Sequence, residues 1–289
     1  MSAVRTVIHT QDRLGETPLW CDRSRTLWWI DIENPTLHCI DQTGGHRAIP
    51  MPGSFLGCLA LRQDGRLMLA IDRTLHIFDP ANEALSPFVQ VEGDELDTRL
   101  NDGRCDAQGR FWVGTMDNQL HRPIGSLYRI DPDGGVTRQF GDIIVTNTIC
   151  TTPDGRTLYM SDTRRFTTWA FDVAANGMLG GRRVFVDHTA ANDRPDGACV
   201  DADGYIWNAI FAGGRVIRFS PDGRVDRVIE LPVTNPTCVC FGGPDFSTLY
   251  ITTARKFLTP DQLAAEPLAG ALLAVDLDVR GLPEARFGS

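Results

Sequence analysis

One short sequence unit returns six times along this chain of 289 residues. Each copy consists of a polar or aromatic leading residue, a short apolar run, a turn and a second apolar run. The six leading residues are Glu16, Phe55, Asn101, Asn147, Asp196 and Asn235. The turns of successive copies lie 40, 44, 46, 49 and 43 residues apart, and a period of about 40 to 50 residues is typical of solenoids and propellers. The repeat therefore restricts the chain to an architecture built from similar neighbouring units.

The residues of the repeat favour strands over helices. The apolar runs are short, rich in Val, Ile, Leu, Trp and Tyr, and separated by turns such as Asp64-Gly65, Asp154-Gly155 and Asp203-Gly204, which are hairpin signals. A third and a fourth strand follow, as in residues 126–130 and 136–140. Since four antiparallel strands form one blade, the sequence predicts an all-β fold. We expect a six-bladed β-propeller of four-stranded antiparallel blades with a central channel, as a single domain over residues 1–289.

Three segments outside the regular repeat complete this prediction. Residues 4–8 are expected to pair with residues 271–276 and close the ring, because an unpaired blade edge is a liability. Residues 259–265 are expected to form a short helix with Thr259 as its N-cap and Pro260 at its first position. The loop over residues 117–124 is the best candidate for a lid over the channel mouth.

Charge and hydropathy exclude several classes of protein. The net charge is −9, so no basic stripe is available to neutralise nucleic-acid phosphates. No apolar run approaches the roughly 18 residues of a membrane helix, and the N-terminal residues lack the apolar core of a signal peptide. We therefore expect a cytoplasmic protein, a monomer or a weak homo-oligomer, that binds neither nucleic acid nor membranes.

Eight cysteines raise the question of disulfides or a metal site. Five of them fall in the first apolar run of a repeat, where small buried residues are favoured. These five are Cys58, Cys105, Cys150, Cys199 and Cys238. No Cys-x-x-Cys pair occurs, so the sequence predicts reduced thiols that pack as small hydrophobic side chains.

A ring of blades brings the six leading residues to one axis. Five of the six carry an oxygen that could bind a metal, and carboxylate and amide oxygens suit a hard cation. The histidines show no His-x-His or His-Glu-x-x-His spacing, and no Gly-x-Ser-x-Gly elbow occurs, which disfavours a histidine metal site or a serine hydrolase. An ordinary turn role stays open at each polar position. Phe55, the one apolar leading residue, is expected to form an apolar wall of the pocket.

The chain resembles the SMP-30/gluconolactonase/luciferin-regenerating-enzyme family, and within it the bacterial sugar-lactonase branch. The matching segments run in family order over most of the chain. They are LGETPLW from Leu14, RLNDGRCDAQGRFWVGTM from Arg99, GSLYR from Gly125, TPDGRTLYMSDT from Thr152, RPDGACVD from Arg194, GGRVIRF from Gly213 and CFGGP from Cys240.

The resemblance implies one divalent cation at the channel mouth. Its ligands would be Glu16, Asn147 and Asp196, and the ion could be Ca²⁺, Zn²⁺, Mn²⁺, Mg²⁺ or Fe²⁺. Three protein ligands leave positions open for water and substrate, as a catalytic metal requires. The family often has Gly after the second of these ligands, where this chain has Thr148. Asn235 is equivalent by repeat but has no counterpart in the family's ligand set.

The resemblance also implies substrate contacts. Arg99 and Asn101 match the family's Arg-x-Asn-Asp-Gly motif and would contact the substrate. Some members carry a substrate-binding Glu three residues after the Thr-Met pair. This chain has Gln119 there, with Asp117 nearby. Both are candidate substrate contacts, and the departure means that sugar preference is not carried over.

The implied activity is the metal-dependent hydrolysis of a sugar (aldono-)lactone to the corresponding aldonic acid. In this interpretation the cation polarises the lactone carbonyl, and Asp196 is the general base that takes a proton from the attacking water. Glu16 would be a ligand only. Two alternatives stay open: an organophosphate or aryl-ester hydrolase on the same site, and a non-enzymatic cation-binding propeller, since a fold alone does not fix chemistry.

Overall fold

The computed structural model describes residues 3–94 and 97–288. Within these residues, 24 β-strands form six four-stranded antiparallel sheets, which confirms the predicted six-bladed propeller. The first three blades contain β2 (Gly15–Cys21), β3 (Thr26–Asp31), β4 (Thr36–Ile40), β5 (His46–Pro50), β6 (Leu56–Leu61), β7 (Leu67–Ile71), β8 (Thr74–Asp79), β9 (Ala84–Gln90), β10 (Thr98–Cys105), β11 (Phe111–Asp117), β12 (Gly125–Ile130) and β13 (Val136–Ile143). The last three contain β14 (Thr146–Thr151), β15 (Thr157–Asp162), β16 (Thr167–Val173), β17 (Leu179–Asp187), β18 (Arg194–Val200), β19 (Ile206–Phe211), β20 (Arg215–Phe219), β21 (Val225–Glu230), β22 (Pro236–Gly242), β23 (Thr248–Thr253), β24 (Leu272–Asp276) and β1 (Arg5–Ile8).

The ring closes through the N-terminal strand. β1 pairs antiparallel with β24, with Arg5 opposite Ala274, so the outermost strand of the sixth blade comes from the start of the chain, as predicted. The first strand of each blade contacts the first strands of its two neighbours around the ring. These six innermost strands (β2, β6, β10, β14, β18 and β22) therefore surround the central channel.

Each innermost strand has an irregular register at its leading residue. The pairing shifts between Glu16 and Leu19 in β2 and between Asn147 and Cys150 in β14, and equivalent shifts occur in the other four. Such a bulge sets two residues opposite one, bends the strand and re-aims its side chains. The six bulges therefore decide where the leading side chains point.

Two smaller predictions are also confirmed. The helix α1 (Pro260–Ala265) begins after the N-cap Thr259, whose hydroxyl accepts the Gln262 N–H while the Gln262 side chain accepts the Thr259 N–H. All eight cysteines are free and buried. In the described part of the chain, no helix is long and apolar enough to cross a membrane.

The C-terminal segment, residues 279–288, covers the end of the channel opposite the leading residues. The carbonyl of Arg280 accepts the Ala202 N–H in the fifth blade, and the Phe287 N–H donates to Leu61 of the second. Between these points Glu284 lies 3.5 Å from Nη2 of Arg104 in β10. We call this the closed end of the channel, and the end with the leading residues the open end.

Candidate active site

A cavity of about 610 Å³ lies at the open end of the channel. Five of the six leading residues line it: Glu16, Asn101, Asn147, Asp196 and Asn235. Its apolar wall is formed by Leu14, Ile32, Met116, Val145, Phe211, Phe257 and Leu258. Gln119, Leu120 and His121 of the loop between β11 and β12 also line it, as expected for a lid.

Two buried carboxylates face this cavity. Glu16 is 6% exposed and Asp196 is 7% exposed, and Oε2 of Glu16 accepts the Thr17 N–H at 2.8 Å. Burial raises the pKa of both carboxyls, the charge of Asp102 adds to the effect at each, and the charge of Glu16 raises the pKa of Asp196 further. Among the described ion pairs, none involves Glu16 or Asp196. Two adjacent buried acids that form no ion pair are unfavourable unless a cation or protons enter.

The side-chain amide of Asn147 is fixed by hydrogen bonds to residues of the third and fourth blades. Its Oδ1 accepts from Nδ2 of Asn101 at 3.0 Å, and its Nδ2 donates to Oγ1 of Thr163 at 2.8 Å. The Thr163 hydroxyl in turn donates to the carbonyl of Pro195 at 2.7 Å. Because these bonds fix which end of the amide carries the oxygen, Oδ1 is the atom of Asn147 available to a cation.

Thr148 occupies the position where the family often has Gly. Its φ of 61° lies in the left-handed region, which is unfavourable for a β-branched residue. The hydroxyl compensates by donating to the carbonyl of Asp196 at 2.6 Å and accepting from Oγ of Ser161 at 2.7 Å. Thr148 therefore ties the fourth blade to the backbone of Asp196.

The donor set fits a divalent cation that prefers oxygen ligands. Two carboxylates and one amide oxygen from three blades converge on the cavity, which is the chemistry expected for Ca²⁺, Mg²⁺ or Mn²⁺. Over residues 3–94 and 97–288, no group of three His, Cys, Asp or Glu side chains is placed to hold a metal. The candidate site therefore depends on Asn147 as its third ligand.

Arg99 and Asn101 form a second polar pair on the cavity wall. Arg99 is 4% exposed, and its Nη1 donates to Oδ1 of Asn101 at 2.7 Å. Burial lowers the pKa of the Arg99 guanidinium to about 10, so it stays charged at neutral pH. The ring of Phe55 lies behind the guanidinium, 5.1 Å from Cζ. Phe55 is absent from the cavity wall, so the expected apolar wall at this position was wrong.

Asp117 does not reach the cavity, in contrast to Gln119. Its fully buried side chain accepts from Nε of Arg122 at 3.0 Å and from the His121 N–H at 3.0 Å. Burial opposes ionisation, but these bonds hold the pKa of Asp117 well below its usual range. Asp117 therefore stabilises the base of the lid loop, because Arg122 takes the carboxylate that was expected to contact substrate.

Three cationic side chains on the cavity wall were not singled out by the sequence: Arg164, Arg194 and Lys256. Lys256 lies 2.5 Å from Glu33, and its carbonyl accepts from Nδ2 of Asn235 at 2.9 Å. Two sequence features could have identified them as candidates. Arg194 begins the RPDG motif, and Lys256 is the only lysine of the chain.

Comparison with known proteins identifies the family of this chain. Residues 14–255 match the family described as SMP-30/Gluconolactonase/LRE-like region. The chain is 35% identical to 6-deoxy-6-sulfogluconolactonase of Pseudomonas putida over 98% of both chains. It is 36% identical to L-arabinolactonase of Azospirillum brasilense over 96% of this chain and 93% of that protein. The crystal structure of a calcium-binding protein, regucalcin, from Agrobacterium tumefaciens superposes with a TM-score of 0.95 at 34% identity, covering 99% of this chain and 97% of that one. The chain belongs to the SMP-30/gluconolactonase/LRE-like family.

Proposed function

We propose that this protein hydrolyses a sugar lactone to the corresponding aldonic acid, and that the reaction requires a divalent cation held by Glu16, Asn147 and Asp196. The observation that carries the proposal is the convergence of two buried carboxylates and an amide oxygen on one open cavity. The names of the two lactonase relatives support the reaction, and the calcium-binding regucalcin supports the cation. One lactonase name includes a sulfo group and the other does not, so the names leave the charge of the substrate open.

A cation held by these residues would supply Lewis-acid polarisation of the lactone carbonyl and would stabilise negative charge on its oxygen. The oxygen-only donor set favours a hard ion such as Ca²⁺, Mg²⁺ or Mn²⁺ over Zn²⁺.

Asp196 is the proposed general base. It accepts a proton from water as the water oxygen bonds to the carbonyl carbon of the lactone. When the bond from that carbon to the ring oxygen breaks, Asp196 returns the proton to the ring oxygen, which becomes a hydroxyl of the open-chain acid. Proton transfer of this kind contributes roughly 10²- to 10⁴-fold to the rate. The backbone of Asp196 is fixed for this role, because its carbonyl accepts from Thr148 at 2.6 Å and from Nδ2 of Asn208 at 2.9 Å.

Arg99 and Asn101 are the proposed contacts to the sugar hydroxyls. They are fixed by their mutual bond of 2.7 Å and by the bond of 2.8 Å from Nδ2 of Asn101 to the carbonyl of Thr146. A polar pair held in this way orients a polar ring with little loss of side-chain freedom. Gln119 adds a polar group from the lid side of the cavity.

A panel of sugar lactones, assayed with a pH indicator before and after removal of metal, tests the proposal. We expect turnover of at least one five- or six-membered lactone, its loss after chelation, and its recovery when a divalent cation is restored. Elemental analysis checks that the metal has been removed. If the metal-free protein still hydrolyses the lactone at the full rate, the proposed cation requirement is contradicted. Absence of turnover of every lactone at millimolar concentration would contradict the lactonase activity itself.

A further inference from the structure

The cavity holds more positive side chains than lactone hydrolysis requires. Four cationic side chains line it, Arg99, Arg164, Arg194 and Lys256, against the carboxylates of Glu16 and Asp196. The chain as a whole has a net charge of −9. The positive excess at the cavity is therefore a local feature, opposite in sign to the molecule, and it increases when a divalent cation is bound.

Arg194 lacks the partners that a partly buried guanidinium normally has. Its Nε is buried and has no hydrogen-bond partner among the described residues. The adjacent acid, Asp193, forms its ion pair with Arg215 instead. A buried N–H without an acceptor costs free energy that an incoming oxyanion would recover.

Arg164 also has no counter-ion among the described residues, since the acids around it pair with its neighbour Arg165. The nearest acid along the chain, Asp162, accepts the backbone N–H groups of Ile144 and Val145 at 2.8 and 3.2 Å. Its remaining charge neighbour is Arg165, at 3.6 Å. The Arg164 side chain therefore stands exposed at the cavity rim, with its charge directed to no acid of its own blade.

Lys256 differs from these two arginines because it has a partner. Its Nζ lies 2.5 Å from Glu33, which also pairs with Arg13 at 2.5 Å. The cluster of Lys256, Glu33 and Arg13 therefore has one net positive charge beside the cavity, and the ion pair with Glu33 holds Lys256 in place. The two residues free to take a ligand anion are therefore Arg164 and Arg194.

We propose that Arg164 and Arg194 form an anion subsite that selects a lactone bearing an acidic substituent, such as a carboxylate, sulfonate or phosphate, over a neutral lactone with the same ring. The proposal rests on the lactonase function proposed above. Guanidinium groups bind such oxyanions through paired, charge-assisted hydrogen bonds. The two arginines lie on adjacent blades next to the proposed ligands: Arg194 is two residues before Asp196, and Arg164 follows Thr163, which holds Asn147.

The first experiment compares kcat/KM for glucono-1,5-lactone and 6-phosphoglucono-1,5-lactone. We expect the wild-type protein to prefer the phosphorylated lactone. In the variant Arg164→Gln/Arg194→Gln, the ratio of the two kcat/KM values should fall roughly 10- to 100-fold, mainly through KM for the acidic substrate. Arg156→Gln/Arg224→Gln is the matched control, since it also removes two positive charges, from side chains that are 86% and 85% exposed and lie outside the cavity wall. The control should keep the wild-type ratio.

An unchanged ratio in the double variant, or a wild-type preference for the neutral lactone, would overturn the subsite while leaving the lactonase function intact. A second measurement does not depend on turnover. Calorimetric titration with gluconate and 6-phosphogluconate separates a substituent site from a site for the product carboxylate, which both acids carry. We expect the double variant to weaken binding of 6-phosphogluconate alone. Equal weakening of both acids, or of neither, would contradict the proposal even if no lactone is hydrolysed.

Discussion

The two ends of the central channel both contain buried charged side chains, but they differ in whether these side chains are paired within the chain. At the closed end, Arg104 has a partner within the chain, because Glu284 of the C-terminal segment lies 3.5 Å from it. At the open end, Glu16 and Asp196 converge on a cavity, and no described ion pair includes either of them.

The difference separates structural charge from functional charge. A buried ion pair that is complete within the chain needs nothing from solution. Like charges that converge on an open cavity need a ligand, which is the usual mark of a functional site. The cysteines near the closed end agree with this, since burial raises the pKa of Cys150 to about 12 and leaves its thiol neutral. The closed end is therefore expected to stabilise the ring and the open end to carry the chemistry.

The substitution Asp196→Asn should have the largest effect, because it removes the proposed base and one cation ligand together. We expect kcat to fall by about 10⁴-fold or more, with the far-ultraviolet circular dichroism unchanged since the side chain keeps its shape. Asn208→Ala is a milder companion variant, because it removes the amide bonds to the carbonyls of Asp196 and Gly197 and to the Thr148 hydroxyl but leaves the Asp196 carboxyl in place. If Asp196→Asn keeps more than about a tenth of the wild-type activity, the claim that the open end carries the chemistry is contradicted.

Breaking the ion pair at the closed end should affect stability instead of activity. In Glu284→Ala, Arg104 is left buried without a counter-ion, and we expect the free energy of unfolding to fall by about 3 kcal/mol in urea titrations. The matched control is Arg104→Met/Glu284→Met, which removes both charges and should be close to neutral. A folded Glu284→Ala protein with wild-type stability but little activity would show that the closed end is part of the catalytic machinery.

Cation binding should stabilise the protein through the open end alone. At a concentration about 100 times its Kd, a bound ion adds roughly 2.7 kcal/mol to the free energy of unfolding. We expect this increment in the wild type and in Glu284→Ala, and its loss in Glu16→Gln, as measured by thermal unfolding with and without cation. If cation stabilises Glu16→Gln as much as it stabilises the wild type, the cation binds at a site that does not include Glu16.

Thr148 offers the smallest and most local test. Thr148→Gly relieves the left-handed conformation by about 1 kcal/mol but loses the hydroxyl that holds Asp196. Thr148→Ser keeps that hydroxyl. We expect kcat to fall a few-fold in Thr148→Gly and to stay near wild type in Thr148→Ser. Equal rates for the two variants would show that the tie to the Asp196 carbonyl has no catalytic role.

The repeat made the blades predictable because its signals are local. Asp-Gly turns such as Asp154-Gly155 place Gly155 at a φ of 68°, which Gly adopts without strain. The helix after Thr259 follows equally local capping rules. Asp154 and Asp196 both stand in Pro-Asp-Gly, yet Asp154 accepts the Arg156 N–H in an exposed turn while Asp196 is buried at the cavity. Only position within the repeat separates them.

What the sequence did not predict depends on contacts between distant or irregular segments. Asp117 was expected to contact the substrate, but its carboxylate accepts from Arg122 of the same loop. The partner of Arg104 comes from residue 284, outside the repeat, so no period connects the two. The orientation of the leading residues depends on bulges in all six innermost strands, and bulges have no simple sequence signature here.

The central claim is that the open end holds one cation on which lactone hydrolysis depends. The most direct measurement titrates metal-free protein with Ca²⁺, Mg²⁺, Mn²⁺, Zn²⁺ or Fe²⁺ while following both the bound ion by calorimetry and the rate of lactone hydrolysis. We predict that a single ion binds each chain, that activity appears with the same midpoint as binding, and that Asp196→Asn shows neither. Hydrolysis at full rate by the metal-free protein, or saturation by cation without any gain in activity, would contradict the account.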